Sequence, residues 1–121
     1  MDRHEAVSPS DGQLSAALCA YVATVPLPRR LDAHLAATGA SGSRDAIRLA
    51  LDEVIGEIER SFAALPRDAC FDAVRERELL ERLRRDHGWL DAKSCRALSG
   101  FARWYAWHEG FQPPPSRTPL P

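Results

Sequence analysis

The sequence predicts an all-α fold, a single-domain bundle of about five helices. Its 121 residues suit one domain of ordinary size. The segment 44–65 repeats apolar residues at intervals of three and four, which is the period of one helix face. No run alternates apolar and polar residues as a half-buried strand would. The apolar stripe of the long segment consists of Ile47, Leu51, Val54, Ile58, Phe62 and Leu65.

Composition divides the chain into three parts. Residues 1–10 have no apolar period and are expected to form a flexible N-terminal lead-in. Residues 11–111 contain all the helical segments and form the predicted helical bundle domain. Five of the nine prolines lie between Pro113 and Pro121, so residues 112–121 are predicted to be a Pro-rich disordered tail of extended, polyproline type.

The first two helices are separated by a proline-containing segment. Ser10 or Asp11 is expected to cap the first helix. Two prolines in the segment 25–28 stop it, because proline lacks the backbone donor that a helix needs and restricts the residue before it. Pro28 can open a second helix over 29–38. The apolar residues of the first helix are Leu14, Leu18, Tyr21 and Val22.

The long third helix has clear signals at both ends. Gly39 is a predicted C′ residue of the preceding helix, where a left-handed conformation is common. Ser43 is the predicted N-cap, and the helix runs over 44–65. Pro66 ends it.

Two further helices follow. The fourth is predicted over 67–86 and ends at the segment 87–89, which contains a glycine. Asp91 caps the fifth, which runs to Glu109 and closes at Gly110. The apolar residues of the fourth helix are Phe71, Val74, Leu79, Leu80 and Leu83.

Charge and cysteine content exclude several classes of protein. The formal net charge is −1, which argues against a general nucleic-acid binder. The three cysteines are odd in number and lack the short spacing of a zinc or redox site. No apolar run is long enough to span a membrane, and the N-terminus lacks the basic and apolar regions of a signal peptide. We therefore expect a cytoplasmic protein with reduced thiols.

The sequence contains no recognisable catalytic constellation. It has no nucleophile elbow, acid–base pair or cofactor fingerprint. His34, His87 and His108 lie on different elements, and the acidic residues of the long helix lack the Glu-x-x-His motif of di-metal bundles. We expect no enzyme, and no catalytic residue, metal, cofactor or small-molecule substrate. The acidic residues of the long helix are Asp52, Glu53, Glu57 and Glu59.

Aromatic residues are concentrated in the fifth helix. Six of the nine lie between Trp89 and Phe111, and four of these lie between Phe101 and Trp107. Aromatic side chains carry large buried areas in both cores and interfaces. On a helical wheel, one broad face of this helix should pack on the helix led by Ile47. That face consists of Leu98, Phe101, Trp104, Tyr105 and His108.

A second face of the fifth helix combines arginine, glycine and tryptophan. Arg96, Gly100, Arg103 and Trp107 fall within about 60° of one another on the wheel. Three interpretations remain open for this face. Trp107 can cover an edge of the bundle while both arginines are solvated or paired, the face can contact a protein, or it can hold a phosphate backbone with Trp107 stacked on a base.

The stretch from Cys95 to Gly110 begins with Cys-Arg, continues with apolar and aromatic residues at helical spacing, and closes with glycine. This pattern resembles the C-terminal helix of the small, all-α subunit of type III CRISPR effector complexes. The Leu80-Glu-Arg-Leu83 turn is similar to an amphipathic turn of that family. Thr24 and Arg29 match the Thr and Arg of its early motif.

The chain also departs from the family at two motifs. Pro26 and Pro28 replace the Ser and Leu of the early motif. The aromatic-x-x-Gly-Arg element of the family is reduced to Leu65-Pro66-Arg67.

The resemblance covers residues 24–111 and implies a non-catalytic helical subunit of a larger ribonucleoprotein. Such subunits stack in several copies along a guide–target duplex and contact the RNA backbone without reading its sequence. The resemblance makes Arg29 and Arg67 candidates for backbone contact. Arg96 and Arg103 are candidates from the helical wheel.

Two other functions are compatible with the sequence. One is a small inhibitor or immunity-type protein that binds a protein partner through the region of Trp104 and Trp107. The other is a DNA-binding regulator, because the segment 25–31 and Ile47-Arg48-x-Ala50 resemble ribbon-helix-helix proteins. The helix before Gly39 is about one turn too short for that family, and two prolines remove donors from its strand.

The candidate binding residues for a protein or RNA partner are Arg29, Arg67, Arg96, Arg103 and Trp107.

Overall fold

A computed structural model describes residues 8–111 of the chain. These residues form a single all-α domain, as the sequence predicts. Val22–Ala23 and Val25–Pro26 form a two-residue antiparallel ladder, β1 and β2, between the first two helices. The five helices are α1 (Asp11–Tyr21), α2 (Pro28–Ala37), α3 (Arg44–Ala63), α4 (Ala73–Asp86) and α5 (Ala92–Glu109). Of the predicted terminal segments, residues 1–7 of the lead-in and the whole of 112–121 lie outside the described residues.

The start of α1 and the following turn are determined by local interactions. Ser10 caps α1 and exchanges hydrogen bonds with Gln13 in a capping box. Thr24 has a left-handed backbone with φ of 74°, which reverses the chain and creates the small ladder that the sequence analysis did not predict. Pro28 begins α2 as its first residue, the position where proline is favoured.

The α3 prediction is confirmed, with a small change at its end. The helix begins at Arg44 after Ser43, but the Ser43 side chain makes no capping hydrogen bond because a short 3-10 turn, Ser41–Ser43, leads into the helix. It ends at Ala63, so Leu65 lies beyond it and is half-buried. Five members of the predicted stripe are buried: Ile47, Leu51, Val54, Ile58 and Phe62.

The prediction that α4 begins at residue 67 is wrong. The helix begins at Ala73, where the Asp72 carboxylate accepts a hydrogen bond from the Arg75 backbone N–H at 2.9 Å. Phe71 lies in the preceding link, and its N–H donates to the Phe111 carbonyl at 2.6 Å. The Phe71 N–H is therefore bonded to the last described residue and not to a carbonyl of α4, and Phe71 lies outside the helix.

The bounds of α5 are confirmed, but its main neighbours differ from the prediction. Asp91 forms a capping box with Ser94, and Gly110 closes the helix with φ of 86°. The helix packs more extensively on α1 and β1 than on α3. Leu98 and Phe101 are buried, and the Ser15 hydroxyl of α1 meets the Ser94 hydroxyl of α5 in the interior at 3.2 Å.

An aromatic cluster joins the ends of α3 and α5. The Phe62 ring lies 4.8 Å from the Phe71 ring, 5.3 Å from Tyr105 and 5.7 Å from Phe111, measured between centroids. The cluster therefore ties one end of α3 to both the α3–α4 link and the last described residue. None of the helices between residues 8 and 111 combines the length and apolar character that a membrane span requires.

Candidate interaction surface

The second face of α5 is exposed to solvent. Arg96, Gly100, Arg103 and Trp107 all lie on the outside of the domain, and Trp107 is 61% exposed. A side chain built at Gly100 would meet no atom within 4 Å. These four residues form a continuous stripe along the helix, which we call the α5 face.

The other aromatic residues of α5 are more protected than Trp107. Phe101 is buried, whereas Trp104 and Tyr105 are half-buried. The Trp104 ring stacks on the exposed His108 ring at 4.9 Å. The helical wheel therefore separates the core aromatic residues of α5 from the exposed Trp107. His108, which the wheel places on the packed face, is exposed to solvent.

Arg103 is paired with a carboxylate of the neighbouring helix. Its Nε lies 2.8 Å from Glu76 Oε1, and its Nη2 lies 3.1 Å from Glu76 Oε2. The Ser99 hydroxyl donates a further hydrogen bond to Glu76 Oε2. This two-pronged contact fixes the guanidinium and neutralises its charge. Of the open interpretations for the two arginines, the paired one holds for Arg103.

The pKa of Glu76 reflects opposing influences. Burial tends to raise the pKa of the carboxyl, because it disfavours the charged form. Hydrogen bonds from Arg103 and Ser99, together with the positive charge of Arg103, act in the opposite direction and leave the pKa of Glu76 below its ordinary value. Glu76 is therefore ionised at neutral pH.

A shallow groove lies between α4 and α5, which run antiparallel. Glu76 near the start of α4 contacts Arg103 in the second half of α5, while Arg84 near the end of α4 lies close to Cys95. Arg77 and Arg84 line this groove of about 300 Å³, with Leu80 between them on the same face. The sequence analysis missed these two arginines, although their spacing of seven residues places them on one side of a helix.

The remaining sequence-predicted arginines are exposed and separate from one another. Arg29 lies in the first turn of α2, Arg67 in the α3–α4 link and Arg96 near the start of α5. Between residues 8 and 111, none of the three forms an ion pair with a carboxylate. No hydrogen bond of the described residues connects Arg29 or Arg67 to the α5 face.

The cysteines and histidines of the described residues lie outside the α5 face. Burial, with a smaller effect of Asp91, raises the pKa of the Cys19 thiol, and burial raises the pKa of Cys95. Both thiols are therefore less nucleophilic at neutral pH. His87 Nε2 lies 2.6 Å from Glu57 Oε1 and links the end of α4 to α3. Within 8–111, no three histidine, cysteine or acidic residues are grouped as metal ligands.

No protein-family model, curated protein or solved structure matches this chain. The resemblances to the type III CRISPR small subunit and to ribbon-helix-helix proteins therefore stay predictions. In this structure, Val25 and Pro26 pair with β1 of their own chain.

Proposed function

We propose that the chain is a non-enzymatic binding protein that docks a protein partner through the α5 face. The observation that carries the proposal is the 61% exposure of Trp107 next to the fixed Arg103–Glu76 pair. Tryptophan and arginine are the residue types most enriched at binding hot spots. A bundle does not need an indole ring in this exposed position for its own core.

The surroundings of Trp107 favour tight association. Arg103 is already held by Glu76, so little side-chain entropy would be lost when a partner covers it. Gly100 leaves the middle of the face without a side chain, which permits close approach by another backbone.

The same surface indicates the chemistry of the partner. The indole ring requires an apolar cavity. Arg77 and Arg84 in the adjacent groove have no ion-pair partner among the described residues. We therefore expect a protein surface that has an apolar cavity flanked by carboxylates.

RNA is the second candidate partner. It is favoured by the exposed positions of Arg29, Arg67 and Arg96, none of which is ion-paired within 8–111. Binding of this kind would involve the phosphate backbone and would weaken steeply with salt. The neutralised Arg103 would contribute little to it.

A pull-down with nuclease treatment distinguishes the two candidates. The tagged wild-type chain should recover a stoichiometric protein partner with or without nuclease. Trp107→Ala should weaken the complex by about 30-fold or more, as expected for a hot spot of about 2 kcal/mol. Leu49→Ala is the matched control, because Leu49 is a 68% exposed apolar residue of α3, and it should leave affinity unchanged.

Two results would count against protein docking. Equal recovery by wild type and Trp107→Ala would remove the α5 face as the binding site. A complex that disappears with nuclease and weakens in Arg29→Ala, Arg67→Ala and Arg96→Ala would favour RNA instead.

A further inference from the structure

A second pocket, of about 280 Å³, lies between α4 and the end of α3, on the side of α4 that faces away from the α4–α5 groove. We propose that this pocket binds a small organic anion that has an apolar body and one carboxylate or phosphate group. The site is independent of the α5 face, because α4 presents different residues to its two neighbours. Arg75, Leu79 and Arg82 line this pocket, whereas Arg77, Leu80 and Arg84 line the groove next to α5.

The floor of the pocket is apolar and well supported. Phe62 and Phe71 line it, with ring centroids 4.8 Å apart, and Leu65 and Leu79 complete it. Phe62 is held from behind by Tyr105 and Phe111 at 5.3 and 5.7 Å. A preformed apolar floor binds a hydrocarbon body without first having to reorganise.

The rim of the pocket carries an excess of positive charge. Arg75 and Arg82 lie on it, with Glu78 as the only acidic residue among those that line the pocket. Neither arginine forms an ion pair with any carboxylate in the described part of the chain. The anionic head group of a ligand would offset this excess of positive charge.

Arg82 is held in position by a short chain of hydrogen bonds. Its Nη2 donates to the Ser61 hydroxyl, which in turn donates to the Glu57 carbonyl at 2.9 Å. The guanidinium is therefore anchored beside the apolar floor while its other N–H groups are left for a ligand. A planar guanidinium with parallel donors is well suited to a carboxylate or phosphate.

The dimensions limit the body of the ligand to a small group. Pockets for drug-sized ligands begin at roughly 300 Å³, so this pocket suits a single aromatic ring or a short branched chain. The two arginines at the rim then select for an anionic head group on that body.

Phenyl phosphate is a suitable probe, titrated into the full-length ¹⁵N-labelled chain and followed by amide NMR shifts. We expect saturable shifts confined to the residues around Ser61, Phe71 and Arg82. Benzyl alcohol lacks the charge and inorganic phosphate lacks the apolar body, so each should bind at least about tenfold more weakly.

Variants of the rim complete the test. Arg82→Ala should weaken phenyl phosphate binding by about tenfold or more, and Arg75→Ala should also weaken it. Arg77→Ala removes the same charge from the other side of α4 and should change affinity less than about twofold. The amide spectrum of each variant reports whether it is folded. Absence of saturable shifts in the wild type, equal binding of benzyl alcohol, or equal affinity of Arg82→Ala and Arg77→Ala would overturn the proposal.

Discussion

Glu76 and Arg103 link two helices through one well-defined contact. The Glu76 side chain is only 14% exposed, whereas that of Arg103 is 69% exposed. The acid is therefore largely withdrawn from water and depends on Arg103 and Ser99 for its hydrogen bonds. Arg103 and Trp107 are one turn apart on α5, but the first is engaged within the domain and the second is free to contact a partner.

Replacing Glu76 with glutamine should lower the free energy of unfolding by about 1 kcal/mol at neutral pH, because Arg103 is too exposed for a larger effect. The folded pKa of Glu76 lies below its ordinary value of 4.5, so its stabilisation is fully present above that pH. It is lost as the pH falls through the folded pKa. The difference between wild type and Glu76→Gln should therefore shrink in acid, as measured by urea denaturation at several pH values.

Glu81→Gln is the matched control for this change. Glu81 lies on the same helix, is exposed and forms no ion pair within residues 8–111. Equal destabilisation by both substitutions would show that the Arg103 contact contributes nothing specific.

Glu76→Gln also separates the two candidate functions, since a released Arg103 should strengthen RNA binding and weaken a preorganised protein contact.

Each of the helices α4 and α5 carries different kinds of side chain on its two sides. One side of α5 carries Leu98 and Phe101 into the core, and the other carries Gly100 and Trp107 to the surface. Glycine in the middle of a helix is unfavourable because its unfolded backbone is unusually free. Gly100 has neither a positive φ nor a neighbouring atom that requires it, so nothing within the domain explains its presence.

Gly100→Ala should raise the free energy of unfolding by about 0.5–1 kcal/mol, since the new methyl group enters open space and the helix gains propensity. Thermal and chemical denaturation measure this change. Gly110→Ala is the contrasting variant and should be destabilising, because Gly110 has φ of 86°. A loss of stability in Gly100→Ala would show that α5 is not open at this position.

At the scale of the whole domain, the aromatic cluster at the ends of α3 and α5 packs distant segments of the chain against one another. Phe62 is 2% exposed and contacts Phe71, Tyr105 and Phe111, which come from three different parts of the chain. Two of these residues, Phe62 and Phe71, also line the floor of the α3–α4 pocket. The stability of the domain and the shape of that pocket thus depend on a shared set of contacts.

Phe62→Ala should cost about 3–5 kcal/mol of unfolding free energy, because it opens a cavity among these rings. Trp107→Ala, which also removes a large aromatic ring, should change stability by less than about 0.5 kcal/mol. Urea denaturation of both variants measures the contrast. Comparable losses in the two variants would mean that Trp107 is part of the core and is not a free contact surface.

Helix positions follow from short-range signals that can be read along the chain. Ser10, Asp91 and Gly110 act within a few residues of themselves, and the period of the α3 stripe depends only on helix geometry. These signals predicted the all-α class and most of the bounds. They also placed Trp107 and Arg103 on one face of α5.

These short-range signals do not predict how distant segments of the chain pack together. The Phe71 N–H donates to the Phe111 carbonyl and so joins the α3–α4 link to the end of α5, and Glu76 neutralises Arg103 from another helix. The arginine-rimmed pocket likewise requires α3 and α4 to meet at Ser61 and Arg82. Periodicity shows which side chains share a face of one helix, whereas partners on neighbouring helices depend on how the helices pack, and that arrangement exists only in the folded bundle.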